Sequence, residues 1–334
     1  MNANNENKTL VSCVIPCYKS SEIVGSVVEE LKSAAATRPD YALEVILVND
    51  GSPDGGKTAA KIKEIAAENS NVVAVNLSRN FGQHAALMAG FARVRGSIVV
   101  CLDDDGQTPA NETFKLTDKV LEGYDLVYAS YEGNKKHNAF RNLGSKFNMW
   151  TDHHLSGAPK GIEITSFFAC KRFVVDCALN YKNPYPYIRG LVHESIDTCA
   201  NVPVKHRERK VGKSGYTLGK LIGLWSNGFT AFSIAPLRIA TCIGTLIAFI
   251  GFVLMVVIIV QRILDPNIAE GWTSLMSMLL FVGGLIMLML GMLGEYVGRI
   301  YLSINNIPQY VVRDVSDNRK QMKGTENGKD IEIA

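Results

Sequence analysis

The sequence predicts a two-part α/β chain: a doubly wound, mostly parallel sheet, followed by a two-helix transmembrane hairpin. Short β-rich runs alternate with helical stretches from residue 10 to about 130. The first runs are continuously apolar, as in strands that are covered on both faces. Two uncharged runs of about 22 residues follow, each about 33 Å long as a helix and long enough to cross a bilayer. At 334 residues and 47% hydrophobic content, the chain can bury a large core.

Five strands and four helices are predicted in the first part. The strands are LVSCVIP (10–16), EVILVND (44–50), NVVAVNL (71–77), SIVVCLD (97–103) and DLVYAS (125–130). The helices between them cover 22–35, 57–68, 82–95 and 110–123. This alternation is typical of a doubly wound α/β domain, which we place at 10–213, after a disordered N-terminus over 1–9.

The second part predicts membrane attachment. In chain order we expect an interfacial amphipathic helix (214–235), a first span (236–262), an external loop (263–271), a second span (272–296), a helical extension (297–313) and a disordered tail (314–334). The basic stretch KHRERKVGK precedes the first span and arginines follow the second. The positive-inside rule therefore predicts that both termini are cytoplasmic. A pair of buried helices in a large soluble core is the alternative.

Charge and cysteine content exclude other classes. The net charge is +3, and no dense Lys/Arg block with interleaved aromatic residues occurs, so nucleic acid is not expected as a partner. The seven cysteines are scattered and lack CxxC spacing, which predicts mostly buried, reduced thiols.

Polar residues follow four predicted strands where each strand ends. They are Pro16-Cys17-Tyr18, Asn49-Asp50-Gly51-Ser52, Ser78-Arg79-Asn80 and Asp103-Asp104-Asp105. Ligands of such sheets bind outside the carboxyl ends of the strands. No GxGxxG follows the first strand and no P-loop is present, which disfavours both of those nucleotide folds. Taken alone, the Asn49 to Gly51 stretch could be turn chemistry and Arg79 a surface charge.

Three consecutive aspartates repel one another unless a cation offsets their charge. Asp103 and Asp105 point to the same side if the chain is extended, and Gln107 follows two positions on. Asp105 and Gln107 offer only oxygen ligands, which suit Mg²⁺ or Mn²⁺ rather than Zn²⁺. The sequence therefore predicts a divalent metal site on this strand end.

These stretches together resemble a known family. The segments VSCVIPCY, VNDGSPD, LSRNFGQHAALMAGF, LDDDGQTP, HRERKVGKSGY and GMLGEYVGRIY resemble the membrane polyprenyl-phosphate glycosyltransferases of glycosyltransferase family 2. That branch includes dolichyl-phosphate mannose synthases and undecaprenyl-phosphate sugar transferases. The resemblance implies a GT-A fold for the sheet domain.

The resemblance also implies roles for individual residues. Pro16, Tyr18 and Asp50 would line the nucleoside pocket, with Arg79 and His84 nearby and His84 close to the diphosphate at a helix N-terminus. Asp103 and Asp105 would be the ends of the DxD motif, Asp103 contacting the nucleotide and Asp105 holding the metal with Gln107. Asp104, the variable middle residue of the nucleotide site, is expected to tolerate alanine. Arg209, Lys213 and Ser214 would meet the acceptor phosphate, and Arg209 joins Asp103 and Asp105 in the predicted catalytic set.

The implied activity is an inverting, metal-dependent transfer of one sugar. The donor would be a UDP-linked sugar and the acceptor undecaprenyl phosphate, at the cytoplasmic face of a bacterial inner membrane. The product would be a lipid-linked sugar for modifying cell-envelope glycan or lipopolysaccharide, and members of this branch can assemble as homotetramers. A polymerising synthase is disfavoured because two spans are few for exporting a chain. A degenerate transferase domain that serves as a membrane scaffold is the remaining alternative.

The chain departs from the family pattern at four places. Lys19-Ser20 follow the tyrosine where the family usually has Asn-Glu, and Asn49 stands where an Asp is common before Asp50. Gly215 follows the serine of the GxS pattern where a Lys or Arg is frequent, and Phe168 stands where relatives often carry an arginine. The loss of these last two cations leaves the identity of the sugar open.

Overall fold

The computed structural model describes residues 8–132, 161–205, 271–305 and 307–319. Between these ranges it also describes residues 242–247, 249–250, 253, 256–257, 260 and 263–264. The predicted interfacial helix (214–235) lies outside the described residues, and so does most of the first predicted span.

One mixed sheet forms the centre of the described part of the chain. Its eight strands are β1 (Thr9–Cys17), β2 (Tyr41–Asn49), β3 (Val72–Leu77), β4 (Ile98–Cys101), β5 (Leu126–Glu132), β6 (Phe168–Lys171), β7 (Cys199–Lys205) and β8 (Val312–Asp317). Their order across the sheet is β7-β5-β6-β4-β1-β2-β3-β8. Strands β1 to β4 pair in parallel, as β5 does with β7. Strand β6 is antiparallel to β4 and β5, and β8 is antiparallel to β3.

Helices cover both faces of this sheet. They are α1 (Val24–Ala36), α2 (Lys57–Glu68), α3 (Gln83–Phe91), α4 (Thr113–Leu121), α5 (Arg172–Leu179) and α6 (Ile188–His193), with a 3₁₀ turn at Ala110–Glu112. Side chains of α1, α2 and α4 pack into one core, and those of α3, α5 and α6 into another. Sheets of this kind are buried on both faces, which explains the continuously apolar strands. The five predicted strands, four predicted helices and doubly wound fold class are confirmed.

The strand order places the predicted ligand-binding residues at one edge. Because β3, β2, β1 and β4 are consecutive neighbours and all parallel, their carboxyl ends lie side by side.

All seven cysteines are free, and Cys13, Cys17, Cys101 and Cys170 are buried, as predicted.

One long helix follows in the C-terminal part. Helix α7 spans Trp272–Ile304, and its stretch Phe281–Gly298 is long and apolar enough to cross a membrane and is not covered by the described protein. The described residues between 242 and 264 are helical as well. The described residues thus contain one helix that meets the criteria for a span.

The predicted C-terminal tail is wrong in part. The helical extension expected over 297–313 ends at Ile304, and residues 314–317, expected to be disordered, belong to β8. Strand β8 alternates half-buried and exposed residues and covers the edge of β3. Such a short polar strand is recognisable only through its partner, which lies far away in the sequence. At the other terminus, Thr9 already belongs to β1 rather than to a disordered segment.

Arg319, just beyond β8, fastens this strand to the sheet. Its guanidinium forms an ion pair with Glu44 of β2, and both side chains are nearly inaccessible, at 8% and 4% exposure. Glu44 also accepts hydrogen bonds from the Ser12 hydroxyl at 2.5 Å and the Arg95 N–H at 2.9 Å. The segment that contains β8 and Arg319 is therefore an ordered part of the sheet domain.

Candidate functional site

A pocket of about 220 Å³ opens at the carboxyl ends of β1 and β2. It is lined by Pro16, Cys17, Tyr18, Asp50, Asn80, Gly82 and Gln83. The structure thus brings together Pro16, Tyr18 and Asp50, the three residues expected to line a nucleoside pocket. Arg79 is exposed, does not line this pocket, and places its guanidinium 4.4 Å from the centre of the Phe81 ring.

The loop after β1 is held from both neighbouring strands. The Tyr18 N–H donates to Oδ2 of Asp104, after β4, at 2.9 Å. The Lys19 N–H donates to the Ser52 hydroxyl, after β2, at 3.0 Å. Lys19 has φ +57°, a left-handed conformation that is uncommon outside glycine. These two hydrogen bonds hold the backbone of Tyr18, a residue that is 45% exposed, at the pocket wall.

Asp50 lines the pocket and holds the backbone at the start of α3. Its two oxygens accept the N–H groups of Phe81 at 2.7 Å and Gly82 at 2.9 Å, at the entry to α3. Burial raises the pKa of Asp50, while these two hydrogen bonds oppose the shift. Gly51 is required beside it, because a Cβ there would lie 2.1 Å from the carbonyl carbon of Arg79. The observed contacts of Asp50 are with the backbone of the pocket wall.

Asp103 lies beside the pocket with both oxygens engaged. Gln83 donates its side-chain amide to Oδ1 at 2.9 Å, and the Ser166 hydroxyl donates to Oδ2. Burial raises the pKa of Asp103; the bonds from Ser166 and Gln83 and the positive charge of Arg189 oppose that shift. Gln83, Ser166 and Arg189 were not predicted. Gln83 lies in the quoted GQH stretch, but nothing in the local sequence marks Ser166 or Arg189.

Asp104 is not an idle middle residue. Its Oδ2 accepts the Tyr18 N–H, and burial raises its pKa to about 6, with that hydrogen bond acting in the opposite direction. The expectation that Asp104 tolerates alanine is therefore at odds with its contacts, because truncation would free the loop after β1 on the β4 side.

Asp105 and Gln107 lie in the turn that follows. Oδ1 of Asp105 accepts the Gln107 N–H at 3.0 Å, which keeps the two residues adjacent. Among the described residues, no group of three or more His, Cys, Asp and Glu side chains could hold a metal. Mg²⁺ in proteins commonly takes one or two carboxylates and completes its shell with water and substrate phosphates. The oxygen donors of Asp105 and Gln107 fit a cation of that kind better than a resident protein-caged ion.

His84 lies in the first turn of α3. The residue is partly exposed, but its Nδ1 is shielded from solvent and has no hydrogen-bond partner in the described part of the chain. Burial, with a smaller effect from Arg189, lowers the His84 pKa to about 4. Its ring meets Tyr187 edge-on, with centres 5.5 Å apart. The imidazole is thus neutral at pH 7 and can accept a hydrogen bond at one nitrogen.

The residues predicted for the acceptor phosphate cannot be placed. Arg209, Lys213 and Ser214 fall outside the described ranges. The structure therefore brings Pro16, Tyr18 and Asp50 together, and the roles of all the predicted site residues stay predictions.

Comparisons with known proteins show which families the chain is related to. Residues 12–179 match the family described as Glycosyl transferase family 2, and residues 235–300 match one described as GtrB C-terminal hairpin. The undecaprenyl-phosphate 4-deoxy-4-formamido-L-arabinose transferase of Proteus mirabilis (strain HI4320) is 35% identical over 321 residues, covering 95% of this chain and 97% of that protein. The Yersinia pestis transferase of the same name is 33% identical over 333 residues, covering 98% and 99%.

A solved structure gives a looser match. Glucosyl-3-phosphoglycerate synthase from Mycobacterium tuberculosis, in complex with Mn²⁺, UDP-glucose and phosphoglyceric acid, aligns with a TM-score of 0.47 and 18% identity. The alignment covers 67% of this chain and 78% of that one. An overlap this loose transfers nothing from that structure to this chain.

Proposed function

The chain belongs to glycosyl transferase family 2, and on that basis we propose that it transfers one sugar from a nucleotide sugar to a polyprenyl phosphate. The family predicted from the sequence motifs is thereby confirmed. The observation that carries the proposal is the pocket lined by Pro16, Tyr18, Asp50 and Gln83, with Asp103 hydrogen-bonded to Gln83 at its wall. The named relatives, matched over nearly their full length, act on undecaprenyl phosphate by name, which supports a polyprenyl phosphate as acceptor.

The pocket would hold the nucleoside of the donor. The exposed Tyr18 ring offers a flat apolar face for a base, and its backbone is fastened on both sides. Asp103, kept in place by Gln83 and Ser166, would contact the nucleotide. We propose a UDP-linked donor.

The leaving diphosphate needs positive charge and hydrogen-bond donors where its charge develops. Gly82 and Gln83, at the N-terminus of α3, line the pocket, and the positive charge of Arg189 acts on His84 in the same turn. Asp105 and Gln107 would hold Mg²⁺ or Mn²⁺, which neutralises diphosphate charge when bound. The acceptor phosphate is already ionised at neutral pH, so no strong general base is required among the side chains around the pocket.

The C-terminal part would bring this site to its lipid. A polyprenyl chain is held in a bilayer by about 0.8 kcal/mol for each buried CH₂, so the enzyme must reach the lipid at the membrane. We propose that α7 and the first predicted span anchor the chain, with the sheet domain and both termini on the cytoplasmic side of a bacterial inner membrane. Arg209, Lys213 and Ser214 would bind the lipid phosphate, and a homotetramer is the assembly proposed.

One assay tests this proposal against the scaffold alternative. The full chain in detergent is given a panel of sugar nucleotides, with and without undecaprenyl phosphate and with and without Mn²⁺, and release of the nucleoside diphosphate is measured. Release that requires both the lipid and the metal, together with a lipid-linked sugar seen by mass spectrometry, is expected. Absence of release with every donor would favour a membrane scaffold with a degenerate transferase domain.

A further inference from the structure

Three polar side chains form a line across strands that end at the pocket. Asn49 on β2 stands opposite Asn76 on β3, and Asn76 stands opposite Asp314 on β8. The side-chain amide of Asn49 donates to Oδ1 of Asn76 at 3.0 Å, and that of Asn76 donates to Oδ1 of Asp314 at 2.9 Å. Asn49 and Asn76 are 5% and 2% exposed. Buried amides are costly unless they are paired, so this line needs a reason.

The direction of the line is fixed by its C-terminal end. Burial alone would raise the pKa of Asp314, but the bonds from Lys63 and Asn76 hold it below its ordinary value. The carboxylate is therefore ionised at neutral pH and can only accept, so Asn76 must turn its NH₂ group toward Asp314. The Asn76 oxygen then faces Asn49, which must donate in turn. The Asn49 oxygen is left to accept at the other end of the line.

That other end reaches the pocket loop. Oδ1 of Asn49 accepts the Ser52 N–H at 3.1 Å and the Ser52 hydroxyl at 2.6 Å. Because the Ser52 hydroxyl donates its hydrogen to Asn49, its oxygen can accept the Lys19 N–H at 3.0 Å. Lys19 is the left-handed residue directly after Tyr18, which lines the pocket. The hydrogen bonds thus run without a break from β8 to the pocket loop.

We propose that Asn76 is a positioning residue for the donor site, setting the loop of Tyr18 and Lys19 through Asn49 and Ser52 and using β8 as its anchor. The inference rests on the proposed function for the identity of the ligand. Asn76 touches no part of the pocket, so its effect reaches the donor only through the line of hydrogen bonds.

Reversing the direction of the line provides the test. Asn49→Asp has no donor for Asn76, which must turn its amide and place its oxygen against the Asp314 carboxylate. In the double variant Asn49→Asp/Asp314→Asn, the new amide at 314 donates to Asn76, and the line runs the opposite way. Asp314→Asn alone keeps an oxygen that accepts from Asn76, so it is the matched control.

Two measurements on the full chain in detergent are compared: the Kd for UDP with Mn²⁺, and amide hydrogen exchange of the peptide that contains Lys19. Asn49→Asp is expected to weaken UDP binding about tenfold and to speed this exchange, since one hydrogen bond in a buried polar line is lost. In turnover the donor KM is expected to rise about tenfold with kcat changed less than about twofold. The double variant and the Asp314→Asn control are expected to have a UDP Kd and an exchange rate within about twofold of wild type, because each keeps every hydrogen bond of the line.

The outcomes separate this inference from the proposed function. Unchanged exchange and unchanged UDP affinity in Asn49→Asp, or no recovery in the double variant, would overturn the positioning role. A wild-type chain that neither binds UDP nor transfers sugar, yet shows the predicted exchange pattern, would overturn the proposed function instead. If Asn49→Asp does not fold, Ser52→Ala, which removes both the acceptor of the Lys19 N–H and the hydroxyl donor to Asn49, must show the same loss of UDP affinity.

Discussion

The backbone N–H of Tyr18 donates to the carboxylate of Asp104 at 2.9 Å, which fastens the loop after β1 to the end of β4. Asp104→Ala removes this acceptor and is expected to lower kcat/KM for the donor about tenfold or more, since hydrogen bonds to charged groups contribute about 1.5–3 kcal/mol. Asp104→Asn keeps an acceptor oxygen and should lose much less. Steady-state kinetics at several donor concentrations measures both. Equal activity of the alanine variant and wild type would restore the view that Asp104 is dispensable.

Asp105 is the residue on which the metal proposal depends most. Asp105→Ala should reduce turnover by about three orders of magnitude or more, since the charge of the leaving group would lose its counter-ion. Wild-type turnover should stop with EDTA and return with Mg²⁺ or Mn²⁺. Asp176→Asn, an exposed carboxylate on α5 paired with Arg172, is the control and should be as active as wild type. Full turnover of wild type in EDTA would contradict the metal assignment.

His84 gives the chain a pH dependence of stability with a definite sign. Its pKa is about 4 in the folded chain, against about 6.5 in an unfolded one. Between these values the unfolded chain binds more protons, so stability falls as the pH is lowered from 6.5 toward 4. Thermal unfolding midpoints of the full chain in detergent at pH 7.5 and 5.5 measure the effect. His84→Gln should show a smaller drop between the two pH values; an identical drop would argue against a buried neutral imidazole.

Truncating Arg319, whose side chain is 8% exposed, is expected to lower the free energy of unfolding strongly. Arg319→Ala leaves Glu44 buried without its ion-pair partner, which costs about 3–5 kcal/mol when one member of a buried pair is removed. Arg313→Ala, at an exposed residue of β8, is the matched control and should cost less than about 1 kcal/mol. Chemical unfolding of the two variants gives the comparison. Adding Glu44→Gln to Arg319→Ala should recover part of the loss.

The sheet and the polar residues at the carboxyl ends of its strands could be predicted because their signals are local. An apolar run that ends in polar residues identifies both a buried strand and its carboxyl end, and Pro16, Tyr18, Asp50 and Asp103 were found in this way. Parallel pairing then brings the strand ends together without further information.

The missed residues depend on contacts that local patterns do not encode. Ser166 lies just before β6 and donates to Asp103, and Arg189 lies in α6 and acts on the charge of Asp103, so both are far from Asp103 in sequence. The contact of Asp104 with Tyr18 was missed because its partner is a backbone N–H, which residue types do not reveal. Strand β8 was missed for a similar reason, since VRDVSD is short and polar and owes its conformation to the edge of β3.

The hydrogen bond from Asn76 to Asp314 joins residues 238 positions apart. During biosynthesis the ribosome therefore completes β3 long before it delivers the strand that covers it. At translation rates of about 5–20 residues per second, the interval is on the order of tens of seconds. Throughout that interval the edge of β3 is an uncovered template for pairing with other chains. A nascent chain that stalls before β8 would thus carry every residue that lines the pocket and still lack the strand to which the Asn49–Asn76 line is bonded.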